Sequence, residues 1–209
     1  MARPKEPLIA KREVVAAALR VIDEEGLDAL STRRLASMLN VSGPALYHHF
    51  ANKDEIVAGA VALALDNVRV PSATGDDWRK WLFRSARLFR QGLLSHPNLF
   101  PALVDRRLPR IGLNRLERAI GRLAACGVPA PAALALIDAL EAFGIGSALF
   151  ESSGGRAALS AAELSGTHPG VAEALRRPSL SPLRQFELGC RAIIDGYGSA
   201  FGLPLAKVT

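Results

Sequence analysis

STRRLASMLNVSGPALYHHFANK, running from Ser31 to Lys53, is the most informative stretch of the chain. Leu35, Ala36 and Leu39 fall on one face of a short helix, with Ser31 or Thr32 placed as its N-cap. Asn40-Val41-Ser42 interrupts that pattern, and a second helix is predicted from Gly43 to His49. Ser42 stands where it would cap this helix, and Pro44 is tolerated in a first turn. Ala36 supplies a small residue where the two helices cross, and Leu35, Leu39, Val41 and Leu46 form an apolar underside. The arrangement reads as a helix-turn-helix. Its outward face would carry Gly43, Pro44, Ala45, Tyr47, His48 and His49, a surface of small, aromatic and imidazole groups that suits a DNA groove. Thr32, Arg33 and Arg34 would meet phosphates on one flank and Lys53 on the other, the latter at a helix N-terminus.

The same helical periodicity extends in both directions. Upstream, Val14, Val15, Ala18, Leu19 and Ile22 form a stripe that Gly26 is placed to end. Downstream, a fourth helix begins near Lys53, with Asp54 and Glu55 in its first turn, and continues through Ile56, Val57, Ala60, Val61 and Leu65. A loop is expected at 70–75, then helices over 77–95, 111–126 and 131–151, with a break at His96-Pro97 and a short apolar element reaching Leu108. Residues 152–179 read as a mobile loop around a short helix at 171–177, and Ser181-Pro182 starts a last helix ending near Gly202. Strand signals are nearly absent. The expected fold is all-α, with a helix-turn-helix head over 1–55, a linking helix over 53–69, and a helical body over 76–209.

Composition narrows the function classes. A chain of 209 residues with 49% hydrophobic and 22% charged residues can bury a core without staples and is not of a disordered type. Cys126 and Cys190, far apart and outside any CxxC, read as reduced core thiols of a cytoplasmic protein; a redox switch is the sharper alternative. No signal peptide is apparent at the N-terminus. The most apolar window, 132–150, contains Asp138 and Glu141 and reads as a buried helix rather than a membrane span. GxSxG, Walker, HExxH and glycine-rich nucleotide motifs are missing, which argues against an enzyme. The formal net charge of +6 does not locate the DNA site, because residues 1–55 hold eight basic and eight acidic residues. The excess gathers between Arg79 and Arg122, where eleven basic residues face only Asp105 and Glu117; it reads as a solvated surface, or else as an attractor for an anionic effector.

At Thr32, Leu35-Ala36, Leu39, Val41-Ser42, Leu46-Tyr47, His49-Phe50 and Lys53-Asp54-Glu55-Ile56, the chain resembles the tetracycline-repressor (TetR/AcrR) family of bacterial transcriptional regulators. The resemblance covers roughly residues 12–65. It implies a three-helix DNA-binding head, a long fourth helix, and a body that dimerises and binds an effector. By that likeness Thr32, Arg33, Pro44, Ala45, Tyr47, His48, His49 and Lys53 are the DNA-contacting set. Phe186-Glu187, Gly189, Ile193-Ile194 and Gly196-Tyr197 are similar to the final helix of regulators near the tetracycline repressor itself. Those drug-binding members use a metal-coordinating histidine where this chain has Leu103 or Val104, so neither a metal nor any other cofactor is assigned.

Competing readings attach to individual residues. Tyr47 could be a core tyrosine, and adjacent His48 and His49 point about 100° apart on a helix with no third ligand in register. Arg3, Lys5, Lys11 and Arg12 read as a solvated tail, with a DNA-tracking arm as the alternative. In the body, Phe89, His96, Phe100, Leu103, Phe143 and Ser147 are the candidates for an apolar effector pocket. Gly144, Gly146, Gly189, Gly196 and Gly198 are costly inside helices, and close helix approach at a dimer interface would account for them. The expected partners are double-stranded operator DNA, a second copy through the last two long helices, and a small-molecule effector, with no membrane. The expected activity is ligand-responsive repression; a ligand-independent structural DNA-binding protein or an activator with the same head is the alternative.

Overall fold

Helix α1 (Lys11–Glu25) forms because its apolar positions line one face: Val14, Ala17, Ala18, Val21 and Ile22 are all buried. Gly26, with φ of 88°, ends it in a left-handed conformation that a side chain would strain. This computed structural model describes residues 10–66, 77–104, 112–156, 159–177 and 180–203. Among them no strand occurs, and the protein is all-α. The order continues with α2 (Thr32–Met38), α3 (Gly43–Tyr47), α4 (Lys53–Asp66), α5 (Trp78–Ser95), α6 (Phe100–Val104), α7 (Leu113–Ala125), α8 (Ala130–Ser152), α9 (Ala161–Leu164), α10 (Pro169–Arg176) and α11 (Pro182–Ala200). Short 3₁₀ turns at Leu27–Ala29 and Pro97–Leu99 were not expected from the sequence.

Several boundaries differ from expectation for identifiable reasons. The second helix of the helix-turn-helix stops at Tyr47 rather than His49, since the His49 and Phe50 amides fold back onto the Leu46 carbonyl. Ser42 is its N-cap by position, yet its side chain makes no capping hydrogen bond. The segment 152–179 holds the expected short helix as α10, which Pro169 opens two residues before the predicted start, and an unexpected one, α9, which Ser160 caps by accepting from the Glu163 amide. The loop expected at 70–75, and the stretch from Asp105 to Leu108, lie outside the described residues.

The chain divides into two compact units, one comprising Met1–Arg69 with Ser95–Ala119, the other Val70–Leu94 with Ile120–Thr209. In the first, α1 packs along α4, and Gly59 permits the approach: a Cβ there would lie 2.7 Å from Val15 Cγ2. Segment 95–104 belongs to this unit through a clasp on α1. His96 Nδ1 lies 2.9 Å from both carboxylate oxygens of Asp23, and the Asn98 amide donates to the Asp23 carbonyl at 3.0 Å.

In the second unit, Asp77 starts α5 by accepting from the Arg79 and Lys80 amides, and Ser181 starts α11 by accepting from the Arg184 amide. Helices α8 and α11 pack together, with Phe143 stacked on Phe186 at 5.3 Å between ring centroids. Three of the five body glycines admit large side chains of the same subunit. Gly144 faces the Phe89 ring, Gly189 the Phe143 ring, and Gly198 the Arg79 guanidinium and Trp78. Their close approaches are therefore internal, whereas a Cβ added at Gly146 or Gly196 would meet nothing within 4 Å, and both lie on exposed faces. At Gly189 a Cβ would sit 2.6 Å from Phe143 Cε1, and that ring is fixed by its stack on Phe186. Gly189→Ala is thus expected to destabilise the protein by about 1–3 kcal/mol despite alanine's better helix propensity. Urea denaturation monitored by circular dichroism measures this, and a variant as stable as the parent would contradict the packing described.

Candidate DNA-binding face and effector-unit residues

Helix α3 has only five residues, so its neighbours hold it in place. Leu46 and Phe50 are driven into the core of the first unit together with Leu35 of α2 and Ile56 of α4. Leu39 and Val41, expected beneath the pair, are half-buried. The turn between α2 and α3 reverses at Asn40, whose φ of 50° is a left-handed conformation that asparagine accepts more readily than most residues. Ser31, rather than Thr32, caps α2 by accepting from the Arg34 amide at 3.2 Å.

This framework turns Pro44, Tyr47 and His48 fully outward, while Gly43, Ala45 and His49 are half-buried. Tyr47 is 54% exposed, which removes the core-tyrosine reading. Its hydroxyl donates to Thr32 Oγ1 at 3.4 Å, a long contact that sets the phenol across the start of α2. Ser42, Arg33 and Lys53 are exposed. Arg34 is exposed too, but its guanidinium is paired with Glu25, so part of its charge is already committed. Among the described residues no cluster of three metal-ligating side chains occurs, and His48 and His49 are joined by no third ligand.

Of the basic N-terminal residues, Arg3 and Lys5 lie outside the described residues. Arg12 is exposed. Lys11 has a structural partner: its ammonium bonds Glu55 at 2.9 Å and lies 4.8 Å from the centre of the Phe50 ring. Glu55 also accepts from the Ala51 amide at 2.7 Å, while Asn52 caps α4 by accepting from the Glu55 amide at 2.9 Å. Lys11 and the Ala51–Lys53 corner beside α3 are thereby tied together.

The six effector candidates do not form one described group. Phe89, Phe143 and Ser147 belong to the second unit; His96, Phe100 and Leu103 belong to the first. His96 is engaged by Asp23, Phe100 is buried, and Leu103 is half-buried. Sequence reasoning missed Arg90, the one charged residue in the buried core of the described chain. Its Nε donates to Ser147 Oγ at 3.0 Å, its guanidinium pairs with Glu151, and it lies 5.1 Å from the Phe186 ring centre. Spacing could not reveal it, because an arginine at a buried position looks like any other residue of a basic helix. The basic surface of α5 is also partly internal, since Arg87 pairs with Glu187 at 3.2 Å and Arg79 approaches Asp195 at 3.8 Å. Cys190 is buried, and burial pushes its thiol up to about 12, which disfavours the thiolate. Cys126 is half-buried and likewise free.

A helix-turn-helix with an exposed aromatic and imidazole face, joined to a second, all-α unit, defines a DNA-binding regulator. Family comparison agrees. Bacterial regulatory proteins of the tetR family match over residues 14–60, and the tetracyclin repressor-like C-terminal domain matches over residues 70–199. The chain belongs to the TetR family of transcriptional regulators, which are not enzymes. Among curated relatives, the class A tetracycline repressor from transposon 1721 of Escherichia coli is 34% identical over 196 residues, covering 88% of each chain. The Streptomyces coelicolor TetR family protein ActR, solved in complex with actinorhodin, is 32% identical with a TM-score of 0.75, covering 93% of this chain and 99% of that one. A TetR variant from Acinetobacter baumannii AYE, solved with minocycline, is 27% identical with a TM-score of 0.66, covering 92% and 98%.

The contact of Glu55 gives a pH-dependent prediction. The Ala51 amide, then Lys11, hold its carboxyl below the ordinary 4.5, so the ionised form is favoured by folding. That contribution is present above the usual carboxylate range and is lost as pH falls through the lowered folded value. Glu55→Gln is expected to lower the urea midpoint at pH 7, with the gap from the parent narrowing below pH ~4. Unfolding curves at both pH values check this, and a gap of constant size would contradict it.

Proposed function

We propose that the protein is a cytoplasmic, ligand-responsive repressor that binds a pseudo-palindromic operator as a homodimer. The observation that carries the DNA-binding face is the outward set on the helix-turn-helix: Tyr47 held against Thr32, with Pro44 and His48 beside it. Pro44 and Ala45 would pack on thymine methyl groups, while Tyr47, His48 and His49 would meet base edges or phosphates. Thr32, Arg33, Arg34, Ser42, Gly43 and Lys53 would fix the register of the head on the backbone. Two such heads would enter successive major grooves, with their centres about 34–36 Å apart.

Support for the homodimer comes from α8 and α11. By length and composition α8 could cross a bilayer, but its exposed side carries Asp138 among Leu134, Ala142, Gly146, Leu149 and Phe150. On α11, Leu188, Ala192 and Gly196 are likewise exposed. Apolar faces of this kind, with small residues at intervals, suit a helix–helix interface between copies. Replacing Leu149 and Phe150 together by glutamate is expected to convert a dimer to a monomer in sedimentation velocity; an unchanged sedimentation coefficient would remove these residues from the interface.

An effector in the second unit would contact Phe89, Phe143 and Ser147, and it would act by preferring one of two states of the protein, since equal affinity for both shifts nothing. Similarity to ActR and to the Acinetobacter protein, solved with actinorhodin and minocycline, supports a small-molecule effector. The decisive experiment selects bound duplexes from a random pool and compares the parent with Tyr47→Ala by gel shift. The variant should keep its helical spectrum and lose at least about tenfold in affinity, in line with ~1–3 kcal/mol per specific contact. Unchanged affinity would overturn the assignment of the face.

A further inference from the structure

Trp81 of α5 is 7% exposed, and its indole N–H finds no acceptor among the described residues. The remaining polar groups of the residue are satisfied: its amide donates to the Asp77 carbonyl at 3.1 Å, and its carbonyl accepts from Ser85 Oγ at 2.8 Å. Ser85, the nearest hydroxyl along the helix, has therefore turned its proton onto the backbone and does not receive the indole. On the face of the ring, the Arg122 guanidinium of α7 lies 5.4 Å from the centroid. A cation in that position is attracted to the ring and raises the positive potential at the N–H, making it a stronger donor. A buried donor without a partner costs roughly 1–3 kcal/mol, and such groups are rare enough in native proteins to require a reason. Trp81 also lies on the same side of α5 as Ser85 and Phe89, the latter turned toward α8 at Gly144.

We propose that Trp81 Nε1 is a ligand-reading donor, and that the effector is a largely apolar molecule carrying an electron-rich oxygen, a carbonyl or its equivalent, which accepts that N–H. The inference rests on the effector-binding reading of the second unit and names the chemistry recognised there. Phe89 supplies apolar contact, Trp81 a polar discriminator, and Arg122 acts through the indole rather than on the ligand. This division of labour is common in small-molecule sites, where a few polar groups orient a ligand held by apolar walls.

Two compounds of nearly equal shape isolate the hydrogen bond: 9-fluorenone, with a carbonyl oxygen, and fluorene, with a methylene in its place. Binding is followed on the full-length protein carrying Trp78→Phe, which leaves Trp81 as the only indole, by quenching of its emission. A Trp81→Phe variant is followed by thermal shift. The expected result is about tenfold tighter binding of fluorenone than of fluorene by the parent, with the preference lost in Trp81→Phe. Binding of both compounds with equal affinity by the parent overturns the Trp81 assignment and leaves the effector reading in place. A preference that survives unchanged in Trp81→Phe does the same. Failure of the parent to bind either compound overturns the assignment as well; release of selected operator DNA by another small molecule then shows whether the effector reading also falls. The comparison of the two compounds on the Trp78→Phe protein, the parent of this experiment, stands even if Trp81→Phe fails to fold.

Discussion

A five-residue helix is not stable in water by itself, because nucleation fixes several residues before the first hydrogen bonds repay the cost. The geometry of the proposed DNA-reading face therefore depends on the burial of Leu46, within α3, and Phe50, just past its end, which fasten the helix from below. Leu35 and Ala36 seal the other side, and the left-handed Asn40 lets the chain reverse tightly enough for both helices to share one core. With the underside so occupied, the outward side chains have no choice of direction. The phenol of Tyr47 and the ring of His48 project because the apolar residues next to them cannot.

The second unit solves a different packing problem. Its helices carry large rings, and glycine makes room for them: Phe89 against Gly144, Phe143 against Gly189, Trp78 against Gly198. Into this apolar setting the chain places one fully buried arginine, whose partners Ser147 and Glu151 both lie on α8. A buried guanidinium with satisfied donors fixes the register of α5 on α8 more strictly than apolar contact would, because a slip of one turn strands a charge. Ion pairs of Arg79 and Arg87 with α11 extend the same bracing toward the surface.

How much of this was legible in the sequence varies with the kind of evidence required. The helix-turn-helix was readable from spacing alone, since alternation of Leu35, Ala36, Leu39 and Leu46 with polar positions reflects burial directly. The all-α class and the long helices followed from the same periodicity and from Gly26 and Pro182 at helix ends. The short helix α9 was hidden because Ser, Gly and Ala dominate its surroundings and four residues leave too little periodicity to detect, whereas the eight-residue α10 was expected to within two residues of its start. The body glycines were recognised as sites of close approach, but spacing could not say whether the approaching group belonged to the same chain; for three of them it does. Arg90 and the unpartnered indole of Trp81 were invisible, because charge and polarity say nothing about burial until a neighbour is known. His96 illustrates the converse: a histidine beside a helix break invited a ligand role, while its actual partner, Asp23, lies far upstream in sequence.

That last contact bears on how the molecule can be divided. Residues 95–119 return to the first unit after α5 has been contributed to the second, so the boundary between the units is crossed more than once along the chain. A fragment cut after α4 would keep every side chain of the proposed DNA-reading face yet leave Asp23 with its carbonyl and carboxylate stripped of Asn98 and His96. A single join after α4 would therefore separate Asp23 from both residues that hold it. An exchange of heads that kept this clasp would carry the segment after α5 along with it, so the clasp couples the first unit to sequence lying well beyond the helix-turn-helix.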